Sequence, residues 1–107
     1  MKNILLASAL LALAVPAAAA SGDAEVGRKK SAPCAACHGA NGVSPSGAFP
    51  NLAGQYEDYL QTALRHYQNG KRKNPIMEAQ VKTLTHKDVL DLAAFFASQR
   101  GGLQVKY

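Results

Sequence analysis

Cys34-Ala35-Ala36-Cys37-His38 is the stretch around which the rest of this 107-residue sequence can be interpreted. Two cysteines separated by two residues and followed at once by a histidine are typical of a covalent attachment site for c-type haem. Two thiols one helical turn apart can each add across a vinyl group, while the adjacent imidazole reaches the iron from the same side. The motif therefore predicts one haem c, held by Cys34 and Cys37, with His38 as an iron ligand.

Three other interpretations of the two cysteines remain to be weighed. A thioredoxin-like redox pair would need a strand before the motif and a helix after it, whereas a helical pattern precedes it here and Gly- and Pro-rich chain follows. A structural zinc site usually has four protein ligands, so His66 or His86 would have to complete it. A disulfide between Cys34 and Cys37 would close a loop too short to constrain much chain entropy. Haem attachment is the interpretation that the adjacent histidine favours.

Residues 1–20 have the pattern of a cleaved secretory signal peptide. Lys2 supplies a positive charge, residues 4–15 are apolar, and Ala17 to Ala20 offer small-residue cleavage sites. This apolar segment of twelve residues falls short of the roughly twenty that a membrane-spanning helix needs. We therefore expect cleavage after Ala20, a periplasmic location, no stable membrane insertion and one domain over residues 21–107.

The charge balance bears on the partners of this domain. Removal of Lys2 leaves eleven of the twelve Lys and Arg against seven Asp and Glu, a formal charge of +4. The sequence has no basic stripe with interleaved aromatic residues of the kind that binds single-stranded nucleic acid, so binding to nucleic acid is not expected. A cationic rim that steers a protein partner with an acidic docking surface is the favoured interpretation.

Capping residues and apolar stripes predict an all-α fold of three to five helices. Helices are expected over residues 23–31, with Asp23 as N-cap, and over residues 55–69, closed by Gly70. A third is expected from a Thr85 N-cap, with Asp88 at the reciprocal position of a capping box, to about Arg100. Glycines and prolines over residues 39–54 predict a long loop that serves a site.

Individual residues in these helices predict a helix crossing, a cationic surface and a stripe that faces the core. Gly27 inside the first helix is a candidate for a close helix crossing, and Arg28 to Lys30 are expected to form a solvated cationic face. In the second helix Tyr56, Tyr59, Leu60, Ala63 and Tyr67 form a stripe expected to face the core.

Met77 and Pro50 complete the predicted site. Pro75 is taken to prevent a helix, so residues 71–77, with the cations Lys71, Arg72 and Lys73, are predicted to be an extended loop. Met77 is the only methionine outside the signal segment, and its place in such a loop predicts an axial ligand. A metal-bound histidine normally donates its other ring N–H to an acceptor, and the Pro50 carbonyl is a candidate for that acceptor.

On the basis of these motifs, the chain resembles a class I c-type cytochrome, and in particular one lobe of the dihaem cytochromes of the c-four kind. The resemblance covers essentially all of residues 21–107 and rests on four motifs: Cys34-Ala-Ala-Cys-His-Gly, Phe49-Pro-Asn-Leu-Ala-Gly-Gln, Asn74-Pro-Ile-Met and Leu92-Ala-Ala-Phe-Phe. The single CxxCH departs from the dihaem pattern, so relay between two haems within this chain is not expected.

The resemblance implies a small class I cytochrome c fold wrapped around one covalent haem. It implies thioether bonds at Cys34 and Cys37, His38 as proximal and Met77 as distal ligand, and a hydrogen bond from His38 to the Pro50 carbonyl. It also implies that the first and last helices cross near Gly27 and Phe95.

The expected function is that of a one-electron carrier, monomeric or weakly dimeric, which cycles between ferric and ferrous haem and is not an enzyme. Its partners are expected to be redox proteins, and no catalytic residues are assigned. The alternatives are a haem subunit of a larger oxidoreductase and an open-site haem protein, a peroxidase or gas sensor, in which Met77 leaves the iron.

Overall fold

The computed structural model describes residues 9, 11–13 and 21–101, so the predicted signal segment lies almost entirely outside the described residues. Within these ranges the regular elements are all helices: α1 (Ala24–Lys30), α2 (Ala32–His38), α3 (Glu57–Asn69), α4 (Pro75–Val81) and α5 (His86–Ser98). This confirms the predicted all-α class. No helix in the described part of the chain is long and apolar enough to cross a membrane.

The first and last helices, α1 and α5, begin where their capping residues predict. The Asp23 side chain accepts hydrogen bonds from the first amides of α1, Glu25 N and Val26 N, which satisfies donors that a helix start leaves unpaired. Thr85 and Asp88 form a reciprocal capping box at the start of α5. The helix ends at Ser98, two residues before the predicted Arg100.

Helices α1 and α5 pack directly against each other. Gly27 is buried, and a Cβ atom placed on it would overlap the Asp91 carbonyl oxygen and lie 2.8 Å from the Phe95 Cβ. The two backbones therefore touch without a side chain between them. The expected crossing near Gly27 and Phe95 is confirmed.

A buried carboxylate beside this crossing joins the same two helices. Asp91 is 2% exposed; its Oδ1 accepts from Asp23 N at 2.8 Å, and its Oδ2 accepts from Lys30 Nζ at 2.9 Å and from Lys87 Nζ at 2.6 Å. Lys30 also pairs with Asp88 at 2.8 Å. The expectation of a merely solvated face is therefore wrong for Lys30, since its stem reaches across to α5.

The core is centred on α5, which is apolar around most of its circumference. Leu92, Ala93, Phe95 and Phe96 form a buried cluster with Leu60 of α3, and α3 packs against α5. A helix that is apolar on so much of its surface needs burial on more than one side. Consequently α5 contacts α1 on one side and α3 on the other.

Residues 39–56 form a loop that folds back on itself. The Gly42 carbonyl accepts from Leu52 N at 2.8 Å and from Ala53 N at 3.1 Å, while Gly54 N donates to Phe96 O at 3.0 Å. Gly42 has a φ of +80°, and a Cβ there would lie 2.8 Å from Ala53 N, so a larger residue would be strained and crowded. The loop is thereby fixed against α5.

Two local predictions are wrong. Residues 75–81 form α4, not extended chain, because Pro75 occupies the first helical turn, where its missing N–H costs nothing, and Asn74 Oδ1 caps Ile76 N and Met77 N. Tyr56 does not face the core, because it precedes α3 as its N-cap and is 78% exposed.

Candidate cofactor site

A cavity of about 300 Å³ opens between α2, α3, α4, α5 and the 39–56 loop. Its walls are mainly apolar, with Leu60 and Leu64 from α3 and Leu92 and Phe96 from α5. The predicted site residues Cys34, Cys37, His38, Pro50 and Met77 all line this one cavity. The structure therefore brings together residues that are up to 43 positions apart in the sequence.

Helix α2 presents both cysteines to the cavity. The helix begins after Ser31, with Pro33 in its first turn, and ends at His38, so the CxxCH motif occupies its C-terminal part. The two thiols are free and are not joined in a disulfide. Burial raises the pKa of the Cys34 thiol, so this side chain is held as a neutral thiol next to the apolar space.

His38 is oriented by the loop. Its side chain is buried, and Nδ1 lies 2.8 Å from the Pro50 carbonyl oxygen. A carbonyl can only accept, so Nδ1 carries the proton, and Nε2 is left as the nitrogen that can bind a metal ion. The Phe49 ring packs against the imidazole in a T-shaped arrangement, with the centroids 6.3 Å apart. The ring is thus held in one orientation.

Met77 reaches the same cavity from α4. It is partly buried and lies in the first turn of the helix, where its amide is capped by Asn74 Oδ1 at 3.1 Å. A thioether is a soft, neutral donor without a proton to lose. The cavity therefore has an imidazole donor on α2 and a thioether donor on α4.

A cation and two tyrosines form part of the cavity wall. The Arg72 guanidinium lies 4.9 Å from the centre of the Tyr67 ring, and its Nη1 lies 3.5 Å from the Tyr59 hydroxyl. Arg72 was predicted only as one of three loop cations, and neither contact has a signal in sequence spacing. This cluster places positive charge beside a mainly apolar cavity.

The other interpretations of the motif find less support in the described residues. Among residues 21–101 no group of three or more His, Cys, Asp and Glu side chains could together hold a metal ion, so His66 and His86 do not complete a zinc site with the two cysteines. His66 is partly exposed and His86 is exposed. A thioredoxin-like setting would need a strand before the cysteines, and α1 precedes them instead.

The residues present fit a covalently attached haem. The cavity supplies two free thiols spaced on one helix, an oriented imidazole beside them and a thioether from another wall, all around apolar side chains. This donor set matches the two thioether links and the His/Met pair of c-type haem ligation.

Comparison with known proteins agrees with this geometry. A family model described as Cytochrome c matches residues 24–100. Cytochrome c4 of Pseudomonas aeruginosa is 46% identical over 99 residues, which cover 92% of this chain and 49% of that protein. Cytochrome c-554(548) of Halomonas halodenitrificans is 37% identical over 82 residues, which cover 74% of this chain and 99% of that protein.

A solved structure extends the likeness to the fold. The crystal structure of reduced recombinant cytochrome c4 from Pseudomonas stutzeri superimposes with a TM-score of 0.72 at 42% identity, covering 76% of this chain and 47% of that chain. The chain thus spans about half the length of the cytochrome c4 relatives that it matches, as expected of a likeness to one lobe, and nearly the whole length of cytochrome c-554(548).

Proposed function

The chain belongs to the cytochrome c family, and from this premise we propose that it is a periplasmic one-electron carrier between redox proteins. Bound haem supplies a reversible change between ferric and ferrous iron. The protein's contribution is to hold that group in a fixed, apolar setting, so that little rearranges when an electron arrives or leaves.

Each predicted site residue has a role in this proposal. Cys34 and Cys37 attach the group covalently to α2, and His38 and Met77 bind the iron from two walls of the cavity. The Pro50 carbonyl holds the His38 proton at Nδ1, which fixes the imidazole and increases its basicity. The apolar residues of α3 and α5 exclude water and favour a high reduction potential, as His/Met ligation also does.

One observation carries the proposal: an imidazole with its Nδ1 already hydrogen-bonded and a thioether line the same cavity from different helices. Two protein ligands leave no open iron position for peroxide or a gas. This favours electron transfer over the open-site alternative. No residue of the chain is assigned a catalytic role.

The proposed partners are redox proteins with acidic surfaces. Lys71, Arg72 and Lys73 form an exposed cationic segment between α3 and α4, and Arg72 itself lines the cavity. Charge of this kind steers an acidic partner toward the cavity mouth. Export by residues 1–20 would bring the thiols to the compartment in which c-type haem is attached.

Potentiometric titration of the haem-loaded, signal-free protein tests the proposal. We expect a single reversible one-electron transition and one haem per chain. Size-exclusion chromatography should show a monomer or a weak dimer. An irreversible transition, or catalytic consumption of peroxide, would favour the open-site alternative. Isolation only as a stable complex with a larger oxidoreductase would favour the subunit alternative.

A further inference from the structure

Helix α4, which carries Met77, is too short to be stable alone. It has seven residues, whereas isolated helices need about 12–15 residues to persist in water. Its position must therefore be set by contacts with the rest of the chain. At its N-terminus the capping residue is Asn74, which is adjacent in sequence and does not tie the helix to another element.

Hydrogen bonds to another helix are made at the C-terminal end of α4. Gln68 of α3 donates through its side-chain amide to Val81 O at 3.0 Å and to Leu84 O at 2.9 Å. An amide NH₂ has two hydrogens to donate, and here both have a carbonyl partner. Val81 is the last residue of α4 and is 1% exposed, whereas Gln68 is exposed, so its side chain spans from the surface of α3 to the end of α4.

The carbonyls that Gln68 binds belong to a turn that joins two helices. Leu84 N donates to Val81 O at 3.1 Å, which closes the turn between α4 and α5, and Leu84 packs against the core cluster. One side chain of α3 therefore fixes both the C-terminal end of α4 and the turn that follows it. Helix α3 is itself a wall of the cavity through Leu64 and Tyr67.

We propose that Gln68 is a positioning residue for Met77, acting through α4. By holding the end of α4 against α3, it limits how far the helix can move away from the cavity, and so how readily the Met77 thioether leaves the iron. This inference rests on the proposed role of Met77 as an iron ligand. Gln68 lies outside the cavity lining and touches no ligand itself.

Cyanide capture by the ferric, haem-loaded protein measures this directly, since cyanide can bind only after Met77 has left. We expect Gln68→Ala to accelerate capture by about three- to tenfold, the range set by about one net hydrogen bond. Gln68→Glu keeps the shape but places a carboxylate against two carbonyls, so its acceleration should be at least as large.

Two controls separate positioning from general stability. Thr62→Ala, at an exposed position of α3, should leave the rate unchanged. Asp91→Asn weakens the α1–α5 contact and lowers the free energy of unfolding, yet it should leave cyanide capture within twofold of the wild type. If Asp91→Asn accelerates capture as much as Gln68→Ala does, or if Gln68→Ala has no effect, the proposal is wrong.

The wild-type ferric spectrum distinguishes a failure of the positioning role of Gln68 from a failure of the ligand role of Met77. A long-wavelength band of thioether-bound iron, together with unchanged capture in Gln68→Ala, would overturn the role of Gln68 alone. Absence of that band in the wild type would overturn the role of Met77, and the positioning role would fall with it.

Discussion

Gly27 of α1 lies directly against the carbonyl group of Asp91 on α5, and no side chain fits between the two helices. This backbone contact sets the distance between the helix that precedes the CxxCH motif and the helix that forms one wall of the cavity. Alanine at position 27 gains about 1 kcal/mol of helix propensity, but its methyl group must force the helices apart.

We therefore predict that Gly27→Ala destabilises the protein by up to about 2 kcal/mol net, because overpacking usually costs about 1–3 kcal/mol and the gain in helix propensity offsets about 1 kcal/mol of it. Urea unfolding followed by circular dichroism measures this. Gly47→Ala is the matched control, because nothing lies within 4 Å of a Cβ at that position. Equal stability of Gly27→Ala and Gly47→Ala would contradict the close crossing.

Asp88 makes stability depend on acid pH. Hydrogen bonds from Lys30 and from the Thr85 backbone and hydroxyl lower the pKa of Asp88 to about 2. Hydrogen bonds from Lys30 and Lys87 lower the pKa of Asp91 even more than that of Asp88. A depressed carboxyl pKa stabilises the fold above the unfolded value of about 3.9 and loses that stabilisation as the pH falls toward the folded value.

The expected result is a free energy of unfolding that is flat from pH 7 to about 5 and falls between about pH 4 and 2. Asp88→Asn should lower stability by about 1 kcal/mol at pH 6 and flatten part of this acid limb. Unfolding curves at successive pH values test this. A variant as stable as the wild type at pH 6, with an equally steep acid limb, would show that the pairing contributes nothing.

Lys71 and Lys73 are predicted to steer an acidic partner. Reversal of both charges to Glu should slow reduction of the ferric protein by a reduced flavodoxin, used as an acidic electron donor, by about tenfold at low ionic strength, and the difference should vanish near 1 M salt because charges are then screened. Stopped-flow rates provide the measurement. Arg72 is left intact because it contacts Tyr59 and Tyr67.

Lys29→Glu is the control for this experiment, since Lys29 is exposed and lies on α1, which does not line the cavity. It should change the rate by less than twofold. A rate that responds equally to Lys29 and to the Lys71/Lys73 pair would indicate a diffuse charge effect, and docking near the cavity mouth would be contradicted.

Local signals in the sequence were sufficient for much of the fold. Asp23, Thr85 with Asp88, and Gly70 mark helix ends through hydrogen bonds or backbone angles that depend on one or two residues, and all three act as expected. Pro75 was misinterpreted because proline both breaks a helix interior and favours a helix start. The preceding Asn74, a good N-cap, was the signal that could have decided between them.

Contacts between distant residues were not accessible in the same way. The pairing of Lys30 with Asp91 joins residues 61 positions apart, and nothing in the composition of either helix distinguishes a bridging lysine from a solvated one. The two hydrogen bonds of Gln68 and the position of Arg72 over Tyr67 likewise depend on how the helices pack. The cavity itself was anticipated from motifs, whereas its polar wall became visible only in the fold.

The most direct test of the account is the optical spectrum of the reduced, haem-loaded protein before and after addition of carbon monoxide, with Met77→Ala measured in parallel. If His38 and Met77 both bind the iron, the wild type is low-spin and carbon monoxide leaves its spectrum unchanged, whereas Met77→Ala has a lower reduction potential and binds carbon monoxide at once. A wild-type spectrum that shifts promptly with carbon monoxide, or a variant indistinguishable from the wild type, would contradict the account.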